Sequence, residues 1–244
     1  MLSESNNKTV VITGAAGGMG EAICEHLLER EWTVIGIDHN QHRINALADR
    51  HANFHPVAID LTDSCLTQKV LAQVQQLPSL KGLVNLAAIS YGDSIEQLDD
   101  EAWERSFAVN VTPAMRLIRT LTPLLRENGG GSIVNVSSPV ALVGARKASY
   151  SASKSALHGL TMSCARNLGS ANIRVNLLLP GPTITYMTKD WSQERQQAIA
   201  EGSFLKRLCQ PQEIARVIAF LLSDDSSYIT GSTVDMTAGS MFGH

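Results

Sequence analysis

Six short, nearly continuous apolar runs recur along the chain, and longer helix-like patterns separate them. The runs are Thr9–Thr13 (TVVIT), Thr33–Asp38 (TVIGID), Pro56–Ile59, Leu83–Asn85, Ser132–Val136 (SIVNV) and Ile173–Leu179 (IRVNLLL). A strand that is apolar along its whole length is buried on both faces, which is the signature of a parallel sheet covered above and below. The intervening stretches Met19–Glu29, Gln41–Arg50, Thr62–Gln76, Asp99–Arg126 and Tyr150–Leu168 read as helices. Pro211–Leu222 reads as a last helix and Thr233–Met236 as a last strand. This alternation predicts right-handed crossovers and an α/β doubly wound parallel sheet of about seven strands, with helices on both faces.

The 244 residues form a single domain on this reading, with no linker, internal repeat or low-complexity tract. Residues 182–210 are the least regular. They follow Pro180-Gly181-Pro182, and a flap over a site is expected there, with Tyr186, Met187 and Trp191 as candidate pocket walls.

Composition narrows the function. A net charge of -3 offers no basic surface to nucleic acid. No apolar run reaches the roughly 20 residues needed to span a bilayer, and the opening MLSESNNK lacks the apolar segment of a signal peptide. Cys24, Cys65, Cys164 and Cys209 are scattered, as suits small core residues in a reducing compartment, so a cytoplasmic location is expected. The seven histidines form no metal-ligand spacing, and no metal site is expected.

The first strand runs into Thr13–Gly20 (TGAAGGMG) and then into a helix. Gly14, Gly18 and Gly20 permit a tight turn and a close backbone approach, and the helix start presents free N–H groups to an anion. Ala16 and Met19 lie within the same turn. This position, opening the first strand–helix unit, marks a dinucleotide pyrophosphate site in a Rossmann-like fold. Asp38 closes the second strand; a carboxylate there accepts from ribose hydroxyls and repels a 2′-phosphate, favouring NAD over NADP. Its alternative use is to cap the next helix.

Tyr150 and Lys154 are four apart in YSASK on a helical pattern and share one face. Ser137-Ser138 ends a preceding strand, and Asn110 lies in an upstream helix. A neighbouring ammonium lowers a phenol from its ordinary pKa near ~10. Tyr150 is then expected to exchange a proton with an alcohol or carbonyl oxygen that a serine polarises, while Asn110 holds a water near Lys154.

With these features in this order, the chain resembles the short-chain dehydrogenase/reductase family over nearly its whole length. The matching segments are TGAAGGMG, Asp38, Asp60-Leu61-Thr62, Asn85-Leu86-Ala87-Ala88, Asn110, Ser138, Tyr150 with Lys154, Pro180-Gly181 and the closing ITGSTVDMTAG. The resemblance implies a catalytic set of Asn110, Ser138, Tyr150 and Lys154. It implies that Asp60 and Leu61 meet the adenine, that Asn85 and Ala87 line the cofactor groove, and that Thr183 and Thr185 touch the nicotinamide carboxamide. Dimers or tetramers, a homotetramer among them, are implied through the helices within Asp99–Arg126 and Tyr150–Leu168.

Three departures stand out. The family's Asn-Asn-Ala-Gly segment reads Asn85-Leu86-Ala87-Ala88, which removes polar support from the central strand. Ser138 lies 12 residues before Tyr150 where 13 is commoner; Ser137 restores that spacing but faces the other way. Arg146 and Lys147 precede the tyrosine, either solvated or favouring an anionic substrate. The leading expectation is an NAD-dependent oxidoreductase of a small secondary alcohol or ketone, such as a sugar, polyol or hydroxy acid. The alternatives are a 3-oxoacyl-thioester reductase and a non-catalytic dinucleotide-binding regulator.

Overall fold

A computed structural model describes residues 8–185, 188 and 191–241 of the protein. Tyr186 and Met187, two of the expected pocket walls, lie outside the described residues.

The elements alternate as the apolar runs demand: β1 (Thr9–Thr13), α1 (Gly18–Leu28), β2 (Thr33–Asp38), α2 (Gln41–Arg50), β3 (Phe54–Ala58), α3 (Leu66–Val74) and β4 (Leu80–Asn85). Then follow α4 (Asp100–Asn110), α5 (Thr112–Glu127), β5 (Gly131–Val136), α6 (Val140–Val143), α7 (Ala148–Leu168), β6 (Ile173–Pro180), α8 (Gln193–Glu201), α9 (Pro211–Leu222) and β7 (Thr233–Met236). All seven strands pair in parallel, in the order β3-β2-β1-β4-β5-β6-β7. The order reverses between β1 and β4, and the carboxyl ends of those strands open the crevice where ligands bind in such sheets.

Two apolar layers flank the sheet. On one face Ile23, Cys24 and Leu27 of α1 and Ile214, Ile218 and Leu221 of α9 pack against Val10, Ile12 and Val134. On the other, Val70 of α3, Leu117 and Leu121 of α5 and Ala165 of α7 pack against Val11, Leu83 and Ile133. Alternate residues of β1 thus point to opposite layers, and both layers are fully covered.

Two expectations are corrected here. Asp99–Arg126 is not one helix: it breaks at Val111, whose φ of -122° and ψ of -53° leave the helical region. Pro113 explains the break, since it has no N–H for the carbonyl four residues earlier and restricts the residue before it. The stretch 182–210 is not wholly irregular, because it contains α8, capped by the Ser192 hydroxyl accepting from the Arg195 N–H at 3.3 Å.

Candidate active site

Chemistry-bearing side chains gather at the carboxyl ends of β1, β2, β4, β5 and β6. After β1 the chain turns sharply at Gly14, whose φ of +72° suits glycine. Close approach then excludes side chains. A Cβ on Gly20 would lie 2.0 Å from the Gly14 carbonyl oxygen, and one on Gly18 would lie 3.0 Å from the Thr185 Cβ. Gly17 precedes α1 with no side-chain cap, so the first turn presents its backbone N–H groups outward. That arrangement fits a pyrophosphate, with Gly14, Ala16, Gly18, Met19 and Gly20 forming the cradle.

Asp38 stands at the rim of this cradle. Its Oδ2 accepts from the Ala16 N–H at 3.1 Å, and its Oδ1 accepts from the Asn40 N–H at 2.9 Å. The helix cap beyond it is Asn40, which accepts from the Arg43 N–H. Asp38 is therefore free of the capping role and fits a ribose diol. Asp60 accepts from both the amide and the hydroxyl of Thr62, which hold its carboxyl below the usual carboxylate range. Leu61 beside it is buried.

The departure at Leu86 and Ala88 costs the central strand less than expected. Leu86 and Ala87 donate their N–H groups to the Thr13 hydroxyl at 3.0 and 3.1 Å. Asn85 donates to the Asn135 amide oxygen at 2.8 Å, and Asn135 donates to the Thr161 hydroxyl at 2.9 Å. This buried polar chain ties β4 to β5 and α7. Ala87 closes the groove against Gly14. Sequence reasoning missed Thr13 and Asn135, although a polar residue inside an all-apolar strand was the available signal.

The two serines separate as alternating strand residues should. Ser137 is buried and donates to the Lys154 backbone carbonyl at 2.9 Å, bracing α7 from below. Ser138 lies beside the Tyr150 phenol and favours its charged form. Twelve residues of separation thus bring Ser138, not Ser137, to the tyrosine.

Lys154 is 2% exposed, and its Nζ donates to the Val136 carbonyl at 2.8 Å and lies 6.0 Å from the Tyr150 ring centroid. Burial lowers its ammonium to about 8. For Tyr150 the direction expected from the sequence is reversed. Burial pushes the phenol up, the neighbouring Ser138 opposes this, and the resting phenol is held protonated.

Asn110 is seated between the loop after β4 and α7. Its Oδ1 accepts from the Ile89 N–H at 2.8 Å, and its Nδ2 donates to the Ile89 carbonyl at 3.0 Å and to the Ser153 hydroxyl at 2.9 Å. Ser153 in turn donates to the Tyr150 carbonyl at 2.8 Å. Both amide N–H groups are committed, so the Asn110 side chain braces the tyrosine helix against the loop after β4.

Pro180, the last residue of β6, is buried, and beyond it Thr183 turns its hydroxyl back onto the Gly181 carbonyl at 2.8 Å. Thr183 is thereby a loop brace, whereas Thr185 packs against Gly18 and faces the glycine turn. A cavity of about 270 Å³ lies behind this segment, lined by Gly181, Pro182, Ile199, Leu208, Met236 and Thr237 among others. Ser138, Tyr150 and Lys154 are not among its lining residues. Among the described residues, no three His, Cys, Asp or Glu side chains come together as a metal would require. None of the described helices is long and apolar enough to cross a membrane.

Comparison with known proteins accords with this geometry. A family model described as Enoyl-(Acyl carrier protein) reductase matches residues 14–240. The chain is 32% identical to the 3-oxoacyl-[acyl-carrier-protein] reductase FabG of Thermotoga maritima, over 95% of this chain and 97% of that one. It is 33% identical to the human (3R)-3-hydroxyacyl-CoA dehydrogenase, over 98% and 99% of the two chains. The crystal structure of a 3-oxoacyl-[acyl-carrier protein] reductase from Brucella melitensis superposes with a TM-score of 0.88 at 32% identity, covering 95% of this chain and 90% of that one. The chain belongs to the short-chain dehydrogenase/reductase family of nicotinamide-dependent oxidoreductases.

Proposed function

We propose that the protein interconverts 3-oxoacyl and 3-hydroxyacyl thioesters with NAD as its cofactor, Tyr150 exchanging the proton at the substrate oxygen. The observation that carries this reading is the meeting of Ser138, Tyr150 and Lys154 at the strand ends, beside a glycine turn rimmed by Asp38. The acyl-thioester names of relatives that span the whole chain support the substrate class. They favour this alternative over the sugar, polyol or hydroxy acid expected from the sequence.

Side chains near the site agree with an acyl substrate. Leu142 and Val143, a few residues past Ser138, are 57% and 65% exposed, and Ile184 is 43% exposed. An apolar rim of this kind suits an acyl chain better than a polyol, whose hydroxyls need partners.

The nicotinamide, when bound, supplies or accepts the hydride. In the reducing direction Tyr150 donates its phenolic proton to the substrate oxygen, and a phenol held protonated by burial suits that task. Ser138 donates to the same oxygen as negative charge develops on it. Lys154, cationic below about pH 8, stabilises the phenolate that remains. Asp38 offers its carboxylate to the adenosine ribose and disfavours a 2′-phosphate.

Binding and turnover of the purified protein test this. NADH is expected to bind more tightly than NADPH, and NADH is expected to be oxidised by a short 3-oxoacyl-CoA. Tyr150→Phe should lower kcat by at least about 10²-fold while NADH binding persists. Tighter NADPH binding would overturn the cofactor assignment. NADH binding without turnover on thioesters or simple ketones would leave a binding protein in place of an enzyme.

A further inference from the structure

The helix that carries the tyrosine begins without a cap of its own. Lys147 precedes α7, and its side chain caps nothing in that helix. Tyr150 is the third residue of α7, and the first intrahelical bond is the Ser151 N–H to the Lys147 carbonyl at 3.1 Å. Tyr150 therefore sits in the turn most prone to fraying, whereas Lys154 lies one turn deeper.

What closes this end comes from the loop after β4. The Ala148 N–H donates to the Asp93 carbonyl at 3.2 Å, and the Ser149 hydroxyl donates to the Tyr91 carbonyl at 3.1 Å. Lys147 Nζ donates to the Ser90 carbonyl at 2.8 Å. Arg146 meets Asp93 Oδ1 through both Nε and a terminal nitrogen, each at 3.1 Å. Gly92, at a φ of +87°, permits the approach, since a Cβ there would lie 2.3 Å from the Ser149 hydroxyl. Arg146 and Lys147 are thus both engaged in fastening two loops together.

We propose that Asp93 and Arg146 are positioning residues, a clasp that caps α7 from outside and sets the place of the Tyr150 phenol. Neither touches the reacting atoms. Their effect runs through the first turn of α7, so it bears on proton transfer and leaves cofactor binding alone. The kinetic part rests on the catalytic reading of Tyr150.

A double-mutant cycle with Asp93→Asn and Arg146→Gln tests the clasp. The asparagine keeps an acceptor for the Ser94 N–H, which Asp93 Oδ1 now holds at 2.8 Å. Each single variant is expected to lower kcat by about two- to fivefold, the range of an exposed ion pair, with KM for NADH unchanged. The double variant is expected to be no slower than the slower single, because one interaction is removed only once. Arg146→Lys should recover part of the loss. Amide hydrogen exchange, which needs no substrate, should quicken at Ala148 and Ser151, whose N–H groups are bonded to the Asp93 and Lys147 carbonyls, in both singles and stay unchanged beyond Lys154. Losses that multiply in the double variant, a KM for NADH that rises with the fall in kcat, or unchanged exchange at the first turn would overturn the clasp. Absence of turnover in the wild type would strike the functional reading alone, since the exchange result stands apart from it.

Discussion

Lys154 is a charged side chain packed inside the fold, and burial lowers its ammonium from 10.5 to about 8. Below about pH 8 the folded and unfolded chains are both protonated there, and the cost of the buried charge is borne in full. Between about 8 and 10.5 the unfolded chain binds more protons, so this residue's contribution to stability becomes more favourable as pH rises. Two outcomes follow at this one residue. Lys154→Met should raise Tm at pH 7, on a scale of about 2–4 °C for each kcal/mol, while removing turnover; the Tm gain should shrink toward pH 10.5. In the wild type, kcat/KM should fall as pH rises through about 8, where the cation beside Tyr150 is lost. Thermal melts and pH–rate profiles read both. A lower Tm for the methionine variant at pH 7 would mean that the Nζ bond to the Val136 carbonyl outweighs the burial cost. The pairing of Tyr150 with Lys154 was legible as an i, i+4 spacing. The buried environment of each side chain was not, because it depends on what packs against α7.

At the scale of elements, the glycine turn is the most exacting piece. Gly20→Ala would drive a Cβ to 2.0 Å from the Gly14 carbonyl oxygen, and backbone cannot yield as a side-chain end can. We expect about 1–3 kcal/mol of destabilisation and loss of tight NADH binding. Gly159→Ala is the matched control. Its Cβ would meet nothing within 4 Å inside α7, and about 0.5–1 kcal/mol of stabilisation is expected with NADH binding unchanged. Denaturant melts and NADH fluorescence titrations check the pair. The elements themselves were well written in the sequence. β1, β2, α2, α9 and β7 have the bounds that periodicity gives, because their apolar patterns are long or sharply punctuated. Errors arose where a local signal competed with a pattern. Pro113 divides a stretch that periodicity joins, and α8 is amphipathic too weakly to stand out among polar neighbours, burying no residue fully.

Across the whole molecule, the crevice lies at the carboxyl ends of β1 and β4, where the strand order reverses, and its walls come from segments far apart in sequence. The glycine turn, Asp38, Ala87 and Thr185 meet there although they span residues 14 to 185. A ligand that bridges such segments stabilises the native state by mass action. NADH at 100 times its Kd should add about 2.7 kcal/mol, and so raise Tm by about 5–11 °C. NADPH at the same concentration should give a smaller shift, and Tyr150→Phe should keep most of the NADH shift. A scanning melt measures all three; equal shifts with both cofactors would show that Asp38 does not discriminate.

The sequence by itself determined the class of fold and the candidates for the reactive groups. Continuous apolar runs force a covered parallel sheet, and a glycine turn after the first of them has few uses. It also named Tyr150 and Lys154, because spacing on a helix face is a local property, while the family resemblance pointed to Ser138. Tertiary structure decided what those groups do to one another. It separated Ser138 from Ser137 by facing one toward the phenol and the other toward the Lys154 backbone. It seated the Asn110 amide against Ser153, turned the Thr183 hydroxyl onto the Gly181 carbonyl, and paired Arg146 with Asp93. Each outcome depends on which distant backbone carbonyl or side chain packing brings within about 3 Å, and such proximity is a property of the folded chain that residue order does not display.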